Sequence, residues 1–300
     1  DVLQNLRDYV DVMGGDLKSE SNRSGSVDTV SGLAVDFALP MEFGQIKITA
    51  PDLELTENGD GTVDIAYLAP LEYGFTFQPK EGVATSGKFV MTFDDQSIVA
   101  RGTPQDITYT YGSTATAFAL TDLVVEGKEN TTDLFQMSGR LEDISGQSRF
   151  QVGEVFTVTS DFATGPYHID HKLPAEADLV TIGTATAGSS TFSNTLTLPR
   201  NDIDLMNLAD AVREGLAFSG ETTAQGYKTT QVTKLAGSVV AQEQSEISAQ
   251  HSTYSLDKDT LRFDTSAEEI SANGSLKDLP FPIAFDIEKA DVAMRLPLFA

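Results

Sequence analysis

Three short stretches hold the residues whose types and spacing could do chemistry. The first is TENGDGTVD, Thr56 to Asp64, which has the side chains of a calcium loop. With Gly61 at the loop's glycine position, Asn58, Asp60 and Asp64 fall on ligand positions. The first ligand position is then Thr56 and the bidentate-glutamate position is Tyr67, so that cage cannot close. Asn, Gly and Asp tolerate positive φ, and the same residues read as a hairpin turn. The second stretch, Tyr167-His168-Ile169-Asp170-His171, carries two of the three histidines. On a strand His168 and Asp170 share a face and His171 points away. A three-ligand metal site would need a bend and another donor, and His251 lies far along the chain. The reading here is surface histidines beside a turn. The third is the abundant serine, but no G-x-S-x-G elbow frames any of it. A Ser-His-Asp arrangement has no support beyond the presence of three histidines.

The remaining chemistry is thin. There is no Cys, so no thiolate nucleophile, zinc-thiolate site or disulfide exists. No Walker loop and no G-x-G-x-x-G is present. Asp and Glu total 45, so carboxylate pairs occur throughout and say nothing about glycosidase chemistry. The sequence therefore predicts no catalytic residues, no metal and no cofactor, and a protein that is not an enzyme.

The elements that would position any site are strands. Val35, Phe37 and Leu39 alternate with polar neighbours, as do Ile46 and Ile48, Leu53 and Leu55, and Val63, Ile65 and Tyr67. Phe75 and Phe77, then Phe89, Met91 and Phe93, then Ile107, Tyr109 and Tyr111, then Phe150, Val152, Phe156 and Val158 continue the pattern. This is the signature of antiparallel strands with one wet and one buried face. Turn signals recur about every ten residues, which points to a meander rather than βαβ units. Apolar-Pro pairs such as Leu39-Pro40, Ala69-Pro70, Leu198-Pro199 and Leu296-Pro297 mark strand ends or edges. Leu17 to Asp28 is polar and fits either a poorly packed strand or a loop. Gly220 to Lys234 reads as a hairpin turning at Gln225-Gly226, and Val239 to Ser255 as long wet strands.

Two helices interrupt this pattern. Asp1 to Met13 is amphipathic, with Leu3, Leu6, Val10 and Met13 on one side, and stops at Gly14-Gly15. Asn201 to Leu216 places Leu205, Leu208, Ala209, Val212 and Leu216 on one stripe. Asn201 suits its N-cap, Asp204 a capping box, and Gly215 its end. The expected fold is mainly β: a long antiparallel, twisted or curved meander sheet, or two packed sheets, with a short N-terminal helix and one mid-chain helix. The 300 residues form one β-rich domain with two parts, 1–200 and 201–300. The helices would cover the ends or part of an apolar face.

The formal charge is −25, which repels phosphate backbones and anionic headgroups. Nucleic acid is thereby excluded as a partner, and the expected roles of the acidity are solubility and high-salt tolerance. No apolar run is long enough for a membrane-spanning helix. The first residues show no charged or hydrophobic signal region, consistent with a cytoplasmic protein or a chain from which a signal peptide has been removed. RLPLFA is an apolar ending, which suggests that the natural chain continues past residue 300.

The N-terminal helix with VSGLAVDFALP, the hairpin LTENGDGTVDI and the late segment DLPFPIAFDIEKADVAMRLPL together resemble a family of secreted bacterial proteins known as domain of unknown function 2125. The resemblance covers most of the chain in layout and short phrases and contains no catalytic motif. It implies a Gram-negative envelope protein, periplasmic or secreted, made with a signal peptide and as part of a longer parent. It implies no functional residues. The function expected from the residues themselves is binding of lipid or another apolar ligand on the apolar face, lined by Phe75, Phe77, Phe89, Phe93, Tyr109 and Tyr111. The alternatives are a structural or protein-interaction module of the envelope, pairing through a strand edge, and last a hydrolase built around His168 or His251.

Overall fold

The computed structural model describes residues 1–39, 43–126, 128, 135–174, 179–200, 208–257 and 260–297. Helix α1 (Val2–Val12) leads into β1 (Gly15–Ser24) and β2 (Val27–Leu39). Six shorter strands follow: β3 (Gly44–Thr49), β4 (Leu53–Glu57), β5 (Thr62–Tyr67), β6 (Glu72–Pro79), β7 (Thr85–Asp94) and β8 (Ser97–Thr103). Next come the long β9 (Asp106–Val125) and β10 (Gln136–Val152), then β11 (Val155–Thr164), β12 (Tyr167–Pro174), β13 (Leu179–Ala187) and β14 (Ser189–Pro199). After helix α2 (Leu208–Arg213) the chain runs through β15 (Ala217–Leu235), β16 (Ser238–Leu256), β17 (Thr260–Leu276) and β18 (Ile283–Pro297).

Every pairing among the described residues is antiparallel, and all eighteen strands join one sheet. Several positions in the sheet hold two short strands end to end. β4 and β3 pair with successive halves of β2, and β8 and β7 with successive halves of β9. β5 and β6 lie between them. β11 and β12 likewise share β10, and β14 and β13 share β15. The ladder thus crosses without interruption from β14 and β13 to β15. β1 and β18 are the two edges, each with one neighbour among the described residues.

Most interruptions of the ladder fall on one line across the sheet; the register shifts at Ser86/Lys88 and Thr233/Lys234 lie off it. β1 shifts register between Lys18 and Glu20, facing Gly32 of β2. The β9–β10 pairing skips Thr114 and Asp143, and the β15–β16 pairing skips Gly226 and Ser248. The β17–β18 pairing skips Glu269 and Glu288. Where a position holds two strands, the chain changes strand at the same level: residues 50–52, 68–71, 95–96, 165–166 and 188. Left-handed residues recur along the line: Gly32 (φ 63°), Asp95 (49°), Asp143 (48°), Gly226 (63°) and Glu269 (49°). Backbone interruptions of this kind bend a sheet, so this line is where the sheet coils.

That line corrects two sequence expectations. Gln225-Gly226 is no hairpin turn: β15 runs straight through it for 19 residues. β9, at 20 residues, is likewise far longer than the ten-residue spacing of turn signals, while β16, at 19, is long as expected. A left-handed interruption of a strand and a turn demand the same residue, so the two share one sequence signal. Leu17 to Asp28 resolves as strand, with Gly25 (φ 65°) at the β1–β2 turn. Asn58 to Gly61 is the expected hairpin: Asn58 N–H donates to the Thr62 carbonyl at 2.8 Å, and Asp60 accepts from the Thr62 hydroxyl at 2.7 Å.

Both helices sit on the same face of the sheet. Val2 of α1 packs in a cluster with Val30 and Leu33 of β2, Leu53 and Leu55 of β4, Ala100 of β8 and Ile107 of β9. Tyr9, two turns later, stacks with Phe150 of β10 and Phe156 of β11 at ring distances of 5.4 and 5.5 Å. In a flat sheet β2 and β11 would stand six strand spacings apart, about 29 Å at about 4.8 Å each. Val2 and Tyr9 are only about 10 Å apart along the helix axis. The sheet therefore curls around α1, and the helix face is its concave face. The buried stripe of α1 is Val2, Asn5 and Val10; the expected stripe member Met13 is exposed and Leu6 only half-buried.

α2 closes the same end against Phe156, Val158, Leu198 and Leu256, through Ala211, Val212 and Leu216. It ends as a Schellman cap: Leu216 N–H donates to the Ala211 carbonyl (2.9 Å) and Gly215 N–H to that of Val212 (3.1 Å). Gly215, at φ 113°, is the left-handed residue the cap requires. The proposed start of this helix, with Asn201, Asp204 and Leu205, lies outside the described residues.

Candidate ligand-binding site

Cross-strand partners share a face of a sheet, so the registers assign every side chain to one side. The concave face of β3 to β10 carries Ile46, Ile48, Phe75, Phe77, Phe89, Met91, Phe93, Phe118 and Leu120, paired row by row. The convex face carries the charges. Lys18 pairs there with Asp36, Lys88 with Glu72 at 3.0 Å, and Arg140 with Asp94 at 3.2 Å. These pairs are exposed and add solubility more than stability.

Behind α1 the concave face opens into a cavity of about 460 Å³. Tyr67, Met91, Phe93 and Ile98 form one wall, and Tyr111, Phe118, Leu141, Ile144 and Phe162 the other. No charged side chain lines it. Its polar side chains besides the tyrosines are Gln96, Ser113 and Thr116. The Ser113 hydroxyl lies 2.7 Å from the carbonyls of both Asp94 and Ala115. Tyr67 stacks on Phe93 (5.9 Å, 14° between ring planes), and burial beside Tyr67 raises the Tyr73 pKa above that of a free phenol. The wall a ligand meets is mostly carbon.

Two glycines shape this wall. A Cβ on Gly139 would stand 2.8 Å from the Phe118 ring, and one on Gly146 would stand 2.7 Å from the Tyr111 ring and 2.6 Å from the Asp161 carbonyl. Each ring lies over the bare backbone of its cross-strand neighbour, which the concave side of a curled sheet allows only where no side chain intervenes.

Beyond β10 the concave face changes character. Ser148 meets Ser160 at 2.9 Å, Thr229 meets Ser245 at 2.6 Å, and Ser252 meets Thr265 at 2.6 Å. Asn194 and Thr164, also on this face, each bury an oxygen with no hydrogen-bond partner. One wall of the trough is aromatic and aliphatic; the other is rich in hydroxyls.

Of the six residues the sequence nominated, Phe93 and Tyr111 line the cavity. Phe75, Phe77 and Phe89 lie on the same concave face farther from the helices, with Phe75 and Phe89 in ring contact at 6.0 Å. Tyr109 packs beneath α1, where its hydroxyl donates to Asn5 Oδ1 at 3.1 Å and burial raises its pKa. Sequence reasoning missed Phe118, Leu141, Ile144 and Phe162. Phe118 sits among alanines and threonines, Phe162 follows a Thr-Ser-Asp run, and Asp143 shifts the alternation between Leu141 and Ile144.

The histidines stay apart from this site. His168 pairs with Asp170 at 3.0 Å on the convex face, and His171 is on the concave one, as strand alternation requires. His251 pairs with Glu221 at 3.0 Å, again on the convex face. Among the described residues no three His, Asp or Glu side chains converge to hold a metal ion, and no helix is long and apolar enough to cross a membrane. Compared with protein-family models, curated proteins and solved structures, the chain matches none.

Proposed function

We propose that this protein is a non-catalytic binder of an amphipathic lipid, held on the concave face of the curled sheet. The observation that carries this reading is the uncharged cavity of about 460 Å³ behind α1. Its size falls within the about 300–1,000 Å³ of small-molecule sites. Hydrocarbon would lie against Met91, Phe93, Phe118 and Leu141, where it removes apolar surface from water. The polar part of the ligand would turn to the hydroxyl-bearing wall of Ser148, Ser160, Ser252 and Thr265. Lining of this kind gives affinity through area and orientation through a few polar groups. We place the protein in the periplasm or outside the cell, as a member of the family its three segments resemble; that resemblance supports the location and the geometry supports the ligand.

Native mass spectrometry of gently purified protein, with organic extraction, tests the reading. A reproducible mass excess that resolves to lipid is the expected result, and Leu141→Lys should abolish it while leaving the circular dichroism spectrum unchanged. A clean apo mass for the wild type, together with no uptake of lipid from added micelles, would overturn it.

A further inference from the structure

The two edges of the sheet are built differently. β1, GDLKSESNRS, is polar and presents only Leu17 as a large apolar side chain. β18 alternates on either side of an interruption at Glu288, and its concave face is wholly apolar: Ile283, Phe285, Ile287, Ala290, Val292, Met294 and Leu296. The six large ones are 41–56% exposed. Edge strands that stay free are blunted by inward-pointing charge, proline or bulges. From Ala290 to Leu296, β18 has none of these.

Its charges name the occupant. The regular half of β18 can pair antiparallel with the same half of a second copy, in registers that keep apolar residues on the concave side. Centred on Asp291, the pairing sets Asp291 against Asp291. Centred on Val292, it sets Lys289 against Arg295, and centred on Met294 it leaves Arg295 facing Ala293. A register spanning the Glu288 irregularity sets Asp286 against Asp291. Centred on Ala290, the pairing sets Lys289, which lies 3.3 Å from Asp291 of its own strand, against Asp291 of the second copy, but only three residues pair before Glu288 interrupts the strand. Centred on Ala293, it pairs all seven residues from Ala290 to Leu296, with Asp291 across from Arg295 on both sides of the two-fold and Val292 across from Met294. Opposite charges directly across a ladder attract and like charges repel. β18 also carries only Asp286, Glu288 and Asp291 against Lys289 and Arg295, close to balance in a chain of −25.

We propose that β18 pairs with β18 of a second copy about Ala293, joining two sheets and two concave faces into one continuous trough. This self-complementary contact is of the isologous kind that closes a dimer, and it stands without the lipid reading.

Sedimentation equilibrium on the wild type and on Asp291→Arg and Arg295→Asp tests it. The wild type should be dimeric, and each single variant should dimerise roughly tenfold or more weakly, because two attractive pairs become repulsive. The two variants mixed in equal amounts should restore the dimer, since the mixed pair again sets Arg against Asp at both places; the double variant should do so alone. Restoration on mixing also shows that both variants are folded. A wild type that stays monomeric up to its solubility limit would overturn the proposal, as would a dimer indifferent to both single changes.

Discussion

The hydroxyl of Tyr109 donates to Oδ1 of Asn5 at 3.1 Å, while Asn5 Nδ2 donates to the carbonyl of Pro104 at 3.1 Å. Asn5 is 1% exposed. One buried amide thus ties α1 to the start of β9, and with Tyr9 it holds the helix in the curl of the sheet.

Removing that tie should loosen the helix. Asn5→Ala leaves a buried hydroxyl and a carbonyl unpaired and should cost about 2–3 kcal/mol in urea unfolding. Tyr109→Phe leaves only Asn5 Oδ1 unpaired and should cost about 1 kcal/mol. The double variant should cost less than the sum, because the two groups share one bond. Strict additivity would show that the contact does not form in solution.

Filling the glycines under the rings should be costly even though alanine suits a strand better than glycine. Gly146→Ala drives a methyl into the Asp161 carbonyl and the Tyr111 ring, with an expected loss of about 1–3 kcal/mol. Gly59→Ala, which meets nothing within 4 Å, is the control and should be close to neutral. Thermal unfolding of the pair reads the difference.

The line of left-handed residues predicts opposite signs at two of its positions. Gly226→Ala introduces a Cβ at φ 63° and should destabilise by about 1 kcal/mol. Glu269→Gly relieves the same strain at φ 49°, less the entropy glycine adds to the unfolded chain, and should stabilise by about 0.5 kcal/mol. Chemical denaturation midpoints check both; equal signs would mean that Glu269 is not left-handed.

Arg149 grips Asp106 through Nε and Nη2, at 2.7 and 2.6 Å, and these hydrogen bonds hold the Asp106 pKa below that of a free carboxylate. A folded pKa below the unfolded one stabilises above the unfolded value and is lost as pH falls through the folded one. Both side chains are about half exposed, so solvent screens the pair. Asp106→Asn should therefore cost about 0.5 kcal/mol at pH 7 and nothing near pH 2. A gap in melting temperature that persists near pH 2 would contradict this origin.

Much of the fold was legible in order. Val63-Ile65-Tyr67 and Phe89-Met91-Phe93 alternate because one face of each strand is buried, and that period needs no partner to be read. Asn58 to Gly61 reads as a turn because its side chains close it locally. Gly226 reads as a turn because a left-handed interruption within a strand and a turn ask for the same backbone. Asn5 was passed over because a buried asparagine is distinguished only by the carbonyl and hydroxyl that reach it, and both come from about one hundred residues away.

What the sequence determined by itself is local: which stretches are strands, which side of each is apolar, where α1 stops and where α2 is capped. The tertiary structure alone decided that these faces form one curled sheet rather than two stacked ones, because curling depends on irregularities falling in register across strands far apart in the chain. It also decided which aromatic residues line a cavity and which become core. Phe93 and Tyr109 stand on equivalent alternating strands. They differ only in that α1 lies over Tyr109, while the wall at Phe93 is left open.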